Sequence, residues 1–528
     1  MADNSLRPHT APPPRRRRRH SVALVCDFFY PRLGGVENHI WSLAYHLTRL
    51  GHRAVIVTHA YGGPNPAKYY EGGEKCRGGT RRKRMRTKRC GVRYLPGPVK
   101  VYYCPLLPMV DEDTMPTFTV SFPLLRWILL RESVTVVHSH QATSVLANEA
   151  LCYAAELGVP AVYTDHSLFG FDDVASIVLN RVLKATLSTV RLAICVSHTC
   201  RDNLILRAHL DPKAVRVIPN ALDPGMFVPE KERSEGPDRD KAGDVGTGRL
   251  TVVVVSRLVY RKGIDLLVSI VPRICSLHAH VDFLIGGDGS KRLDLEEMVE
   301  RERLQDRVTF LGSVPHHQVR DVLIKGQVFL NCSLTESFCI AIVEAACCGL
   351  FVVSTNVGGV PEVLPGDMCV LSEPCTDALV SDLSWVIETK VGSVDPWNFH
   401  LRVRRMYSWG DVARRTVDVY NEVEEMGGMT FLERLARYKT VGGLAGWVVV
   451  TIAVTLHFYR IVVEWYQPKE SIDVVPTLLP SVGLEQNGDT TLSTNGKEKK
   501  AVSSDKNESS YPILSYVEGP RNSTERIL

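Results

Sequence analysis

The strongest constraint in this sequence is a rhythm that runs twice. Short apolar runs alternate with stretches of helical spacing from residue 22 to about 196, and again from 251 to about 354. Residues 22–26 read as a buried strand, after which Val36, Ile40, Leu43, Leu47 and Leu50 recur at helical spacing before Gly51, and 54–58 form a second strand. Further strands are expected near 134–138, 160–164 and 191–196. Unbroken apolar runs separated by amphipathic helices mark strands covered on both faces, and hence a parallel, doubly wound sheet. Residues 228–248, crowded with Glu, Arg, Asp, Gly and Lys, interrupt the pattern and read as a linker. Beyond them come strands at 251–255, 281–285, 308–311, 328–330 and 351–354, with a helix from Ile264. The expected fold is α/β, with two Rossmann-like domains, 21–227 and 249–405, facing a cleft. Residues 406–440 read as a return helix and an amphipathic juxtamembrane segment, of which 411–423 fits either half.

Composition excludes other classes. At 528 residues the chain has room for two or three domains of ~150 residues plus appendages. With 45% hydrophobic and 23% charged residues, it is not mainly disordered. The net charge of +5 is misleading, because five positives lie at 15–19 and ten more between Lys75 and Arg93, where no acidic residue occurs. Removing those fifteen leaves −10 for everything else, so a basic body built for nucleic acid is a poor reading and no nucleic acid is expected as a partner. Two local features remain: a disordered basic tail, 1–20, and a basic loop, 63–90. Fourteen cysteines without a CxxC pair suggest neither a zinc ribbon nor a thioredoxin-like motif, and several sit in apolar runs. A reducing, cytosolic body is expected. The apolar run after the arginines is too short for a secretory signal and is broken by Asp27, so it reads as a first strand.

Residues 441–459 contain nineteen residues without a formal charge, which at ~1.5 Å per residue approach the ~30 Å of a hydrocarbon core. No periodic elements follow with which a buried helix could build a core, so a transmembrane helix is expected. Arg434, Arg437 and Lys439 before it and Arg460 and Lys469 after it orient it only weakly. The polar tail, 460–528, carries sequons at Asn507 and Asn522 and is placed on the lumenal side.

Several motifs fall where a doubly wound sheet handles anions. Gly34 and Gly35 lie between the first strand and the first helix, where bare backbone N–H groups can approach a phosphate; a tight strand-to-helix turn explains them equally. In the second half, a strand ends at Val255 and releases Arg257 and Lys262 before a helix, the place for a diphosphate clamp, with solvated loop charges as the alternative. Gly286, Gly287 and Gly289 end the next strand and would let a nucleotide lie close to backbone. Glu336 and Glu344 are separated by seven residues. With a helix beginning near Phe338, Glu336 sits at its mouth and Glu344 about two turns on, in apolar surroundings where a carboxylate needs a partner such as ribose hydroxyls; a helix-face charge is the bland reading. His138 and His140 form His-x-His with no third or fourth ligand near them in the sequence, and His166 follows a strand.

Taken in order, GGVE, SRLVYRKG, GGDG, E-x7-E and GGVPE resemble the GT-B glycosyltransferases of family four. More narrowly, DFFYPRLGGVENHI, HSHQATS, YTDHSLFGF, VIPNALDP and TESFCIAIVEAACCGL resemble the phosphatidylinositol-glycan class A family, over about residues 21–475. The resemblance implies a catalytic subunit that transfers N-acetylglucosamine from UDP-GlcNAc to phosphatidylinositol with retention, the first step of glycosylphosphatidylinositol (GPI) anchor synthesis. It implies a single-pass protein of the endoplasmic reticulum membrane with a cytosolic body, working with other subunits of a GlcNAc-transferase complex. Gly34 and Gly35 would approach the donor phosphate, Arg257 and Lys262 would stabilise the departing diphosphate, Glu336 would hold sugar hydroxyls, Glu344 the ribose, and His166 would lie beside the reacting sugar. Gly287 would line the donor. The family needs no essential metal or other cofactor, and none is expected. The chain departs from the family at 63–90, a solvated insertion suited to anionic headgroups or a splice or gene-prediction feature. Competing readings are a related transferase using GDP-mannose or another acceptor, and a non-catalytic membrane scaffold.

Overall fold

The computed structural model describes residues 18–32, 34–61, 89–109, 112–171, 173–230 and 249–476. Most of the basic tail, the loop 63–90 but for its last two residues, most of the linker, and the tail beyond 476 lie outside the described residues.

The first half contains β1 Ser21–Val25, β2 Arg53–His59, β3 Gly91–Tyr94, β4 Lys100–Cys104, β5 Val136–His140, β6 Ala161–Asp165, β7 Leu192–Cys195 and β8 Val215–Val217. They form one sheet in the order β3-β4-β2-β1-β5-β6-β7-β8, and only β3 runs antiparallel to its neighbour. The second half contains β9 Leu250–Val255, β10 Val281–Gly286, β11 Val308–Gly312, β12 Val328–Asn331, β13 Phe351–Thr355 and β14 Cys369–Ser372. Their order is β11-β10-β9-β12-β13-β14, all parallel. The central strands are buried on both faces, as their unbroken aliphatic runs require. The strands that escape the sequence pattern are β3, exposed throughout, the three-residue β8, and β4 and β14, whose sequences KVYYC and CVLS lack a long aliphatic run.

Both sheets direct the carboxyl ends of their strands, and the loops that follow, into the space between the halves. That is where open α/β sheets bind ligands. The helix Pro396–Met406 packs on Ile340–Cys347 in the second half, whereas Trp409–Met426 packs on Gly35–Arg49 and β6 of the first. The ambiguous stretch 411–423 therefore belongs to the first half, where Tyr420 is fully buried and its hydroxyl meets His138 Nδ1 at 2.7 Å. All thirteen described cysteines are free thiols, and ten are buried, as expected of small core hydrophobes.

The late apolar helix runs from Gly443 to Tyr466, seven residues farther than the uncharged stretch, and is long and apolar enough to cross a membrane. Only 17% of its most apolar window is buried, which argues against a core helix. One face nevertheless lies along the body. Leu456 and Val463 are buried with the outer core of the first half, and the Tyr459 hydroxyl donates to Thr119 O at 2.6 Å. Glu156, 4% exposed on its side chain, accepts from Arg434, His457 and Arg460 at 2.7, 2.8 and 2.7 Å. The first residues of the expected lumenal tail also contact the first half. Gln467 O accepts from Arg126 at 3.0 Å and Val475 N donates to Arg131 O at 2.8 Å, so 460–475 stay on the first half through ion pairs and backbone bonds. Likewise the juxtamembrane helix Phe431–Lys439 turns Arg434 and Tyr438 into the body and exposes Leu432.

Candidate active site between the two halves

The site is assembled by loops at strand ends. After β9, the turn 256–263 carries Arg257, exposed, and Lys262, half-buried. Gly263 closes this turn with φ +66°, and a Cβ there would lie 1.8 Å from Cys332 O, so only glycine lets the turn press against the end of β12. That contact brings Lys262 Nζ onto the Glu336 carboxylate, in a half-buried ion pair. Glu336 is in the loop at the mouth of Ile340–Cys347, as expected, but this helix begins two residues later than the sequence suggests. Glu344 is consequently its fifth residue rather than two turns in. It is buried, and His316 Nε2 meets its Oε1 at 3.1 Å. The carboxylate thus has a protein partner that the sequence did not reveal, and that hydrogen bond raises the His316 pKa.

Gly287 has φ +142°, and a Cβ would meet Ser256 O at 1.8 Å. Its bareness is already required by the packing of the two loops after β9 and β10. In the first half, Gly34 is the N-cap of Gly35–Arg49, and a Cβ on Gly35 would meet nothing within 4 Å. A Cβ on Gly34, by contrast, would collide with the Glu37 carboxylate, which folds back over this helix start. Glu37, one turn in, is buried; burial pushes its carboxyl up, whereas Arg32 at 3.5 Å and Arg257 from the other half pull it down.

His166 follows β6 and meets His140 Nδ1 through its Nε2 at 3.2 Å. His39, from the first helix, packs edge-on against it with ring centroids 4.6 Å apart and holds Asn220 Oδ1 at 2.9 Å through Nδ1. A third imidazole, missing near His138 and His140 along the sequence, is present in space, with a different membership. Ring nitrogens of His39, His140 and His166 lie within 4.8 Å of one another, while His138 is committed to Tyr420 and Thr164. Burial lowers all four pKa values, to about 4 for His39 and about 3 for His138, so the wall is uncharged near neutrality. Such a trio could present lone pairs to a borderline-soft cation.

Hydrogen bonds from Ser337 and to Glu362 join the halves beside these groups. Ser337 Oγ donates to His166 O at 2.6 Å, which sets Glu336 next to His166. The Glu362 carboxylate, from GGVPE, accepts from His198 N and Thr199 N at 2.6 and 2.8 Å, capping the helix His198–Ala208 of the first half. A cavity of ≈ 530 Å³ adjoins this clamp but is lined by Arg201, Arg216, Glu362, Tyr407 and Arg415. None of the expected donor-binding groups lines it.

Comparison with known proteins agrees with this geometry. A family model described as PIGA (GPI anchor biosynthesis) matches residues 84–173, and one described as glycosyl transferases group 1 matches 238–390. The corresponding phosphatidylinositol N-acetylglucosaminyltransferase subunit of Arabidopsis thaliana is 46% identical over 87% of this chain and 94% of its own length. The gpi3 subunit of the same enzyme from Schizosaccharomyces pombe is 42% identical over 90% and 97%. Among solved structures, a sucrose-phosphate synthase from Thermosynechococcus elongatus superposes with a TM-score of 0.57 at 18% identity, covering 78% of this chain and 100% of that one. Anabaena HepE in complex with UDP and glucose gives 0.56 at 16% identity, covering 76% and 100%. These structural likenesses carry the fold alone. Identity at this level across nearly the whole of its relatives places the chain in the PIGA (GPI3) family of phosphatidylinositol N-acetylglucosaminyltransferase subunits, as a glycosyltransferase of GT-B fold.

Proposed function

We propose that the protein transfers N-acetylglucosamine from UDP-GlcNAc to phosphatidylinositol with retention at the anomeric carbon, as the catalytic subunit for the first step of GPI-anchor synthesis. The observation that carries this reading is the half-buried Lys262–Glu336 pair, set beside the exposed Arg257 at the strand ends of the second half. A diphosphate would compete with one carboxylate for the Lys262 ammonium, and Arg257 can fork onto its oxygens. Glu336, released, would accept from sugar hydroxyls. Negative charge growing on the leaving diphosphate would meet cations and backbone N–H groups already in place, the electrostatic work that usually dominates such catalysis. His166, kept neutral by burial, would lie beside the reacting sugar without adding charge to the developing oxocarbenium. Glu344, buttressed by His316, would take the ribose. No metal enters this scheme.

The relatives are named as subunits, which supports a multi-subunit complex for this chain as well. The body is placed on the cytosolic face of the endoplasmic reticulum, anchored by Gly443–Tyr466. A lumenal tail would require residues 467–475 to release Arg126 and Arg131, and an endoglycosidase-sensitive mass shift at Asn507 or Asn522 would report it.

The decisive assay uses the purified complex with phosphatidylinositol and, in parallel, UDP-GlcNAc and GDP-mannose. Product from the first donor alone is expected. Product from GDP-mannose alone would replace this reading with that of a related transferase. Complementation of cells lacking surface GPI-anchored proteins, with and without residues 63–90, decides whether the insertion is needed; failure of both expressed forms would count against the assignment.

A further inference from the structure

The helix Val174–Leu187 is amphipathic in the wrong direction for a soluble domain. Val174, Ile177, Val178 and Val182 are 78, 46, 57 and 42% exposed, and with Arg181 they occupy positions i, i+3, i+4, i+7 and i+8, a single stripe. The opposite face turns Ser176, Leu183, Thr186 and Leu187 inward. Phe171, just before the helix, is 51% exposed and continues the stripe. Exposed apolar surface of this extent marks an interaction site.

Both ends of the stripe lead somewhere. Its start lies eight residues after His166, and the intervening loop touches the second half where Arg261 meets Leu168 O at 3.4 Å. At its end Ala185 lines the same small cavity as Val449, Ile452 and Ala453 of Gly443–Tyr466. The outer face of that long helix exposes Leu444, Trp447, Val448, Phe458, Ile461 and Trp465. A membrane helix held sidewise against the body by Tyr459, Arg460 and Gln467 brings the neighbouring body surface to the bilayer with it. No acidic residue occurs within 174–187, although Asp172 and the N-cap Asp173 immediately precede it, and Arg181 and Lys184 supply cations that lipid phosphates attract.

We infer that the apolar side chains of Val174, Ile177, Val178 and Val182 are seated at the acyl-chain boundary of the leaflet, with the N-cap Asp173 and Arg181 at headgroup level, and that the acceptor lipid reaches the cleft along this face. The inference rests on the proposed lipid acceptor and adds the route by which its headgroup arrives. A phospholipid lifted wholly out of the leaflet would expose its chains to water; a helix sunk beside the cleft mouth keeps them covered while the headgroup passes toward His166 and Glu336.

The test reconstitutes the full-length protein with its complex in vesicles of phosphatidylcholine and phosphatidylinositol, doped with a phospholipid bearing a diazirine midway along one chain. After irradiation, adducts are expected on the 171–187 peptide as well as on 443–466. Adducts confined to 443–466, with none on 171–187, would overturn the inference. Contact is read without turnover, so a failed transfer assay and a failed docking surface are distinguishable. In the Ile177→Glu, Val178→Glu double variant, KM for long-chain phosphatidylinositol should rise at least tenfold, with KM for the nucleotide sugar and turnover of a water-soluble short-chain phosphatidylinositol unchanged. Equal loss with both acceptors would show a structural defect and overturn it too.

Discussion

The two walls of the cleft are built on the same sheet geometry and opposite electrostatics. In the first half, strand ends and the first helix deliver His39, His140 and His166, backed by His138 within β5, and burial keeps all four neutral. In the second half, equivalent positions deliver Arg257, Lys262 and Glu336, all at least partly open to solvent. A nucleotide diphosphate needs fixed cations that water can reach before it binds, whereas a sugar and its acceptor need a wall that offers hydrogen bonds without a competing charge. One fold repeated twice supplies both because the strand ends are constant and only the loop residues differ.

This contrast can be broken from either side. The largest effect is expected at the support of the neutral wall. Asp165 and Arg207 form a fully buried pair at 3.0 Å, and Arg207 also caps the ring of Phe169 in the loop that carries His166. Arg207→Ala strands a buried carboxylate and should destabilise the fold by about 3–5 kcal/mol. Melting of the detergent-solubilised protein measures this, and Arg207→Met with Asp165→Asn should recover most of the loss. A melting point unchanged by Arg207→Ala would mean that the pair does not hold this wall.

On the charged wall, Lys262→Ala and Glu336→Ala should each lower transfer by ~10²–10³-fold or more, about 3–4 kcal/mol of barrier, while protein level and membrane recovery persist. Near-normal turnover in both would remove these residues from the site. The pair acts as a unit, so the double variant should be little worse than either single one.

The neutral wall also predicts a pH dependence. The histidines titrate lower in the folded chain than in the unfolded one, so the unfolded chain binds more protons between about pH 6.5 and the depressed folded values, about 4 for His39. Stability is therefore full above about pH 6.5 and falls as pH drops, by about 1.4 kcal/mol per unit for each histidine. His316 has the opposite sign, because its raised pKa contributes stability below about 6.5 that is lost as pH rises through the folded value. Buried carboxylates with raised pKa values, such as Glu37 and Asp165, act with the sign of His316, so the histidine contribution is read as a difference: between pH 7.5 and 5.0 a His39→Gln variant should lose less stability in chemical denaturation than the parent chain.

The smallest effect is expected at His316. Its loss in His316→Ala leaves Glu344 without its 3.1 Å partner, and KM for the nucleotide sugar should rise about fivefold, on the order of 1 kcal/mol, with little change in turnover. A fall in turnover at constant KM would move Glu344 from ribose binding to the chemistry.

Much of this was legible along the chain. Apolar runs marked the central strands of both sheets, and the charge of SRLVYRKG and Glu336 marked the second wall, because those groups act from loops whose place is fixed by local pattern. The strands β3, β4, β8 and β14 were not legible, since edge or short strands have no long aliphatic run to advertise them. The partner of Glu344 lies twenty-eight residues away on a separate helix, and no spacing rule connects the two.

The sequence by itself determined two doubly wound halves, a polar linker and one long apolar helix, because periodicity and burial are properties of neighbouring residues. Only the tertiary structure decided that the return helix joins the first half, that His39 completes the imidazole wall, and that one face of the apolar helix packs along the body. Those outcomes depend on surfaces meeting across a hundred or more residues, as with His39 and His140 or Arg126 and Glu464, where shape and charge complementarity are settled by packing and leave no local trace.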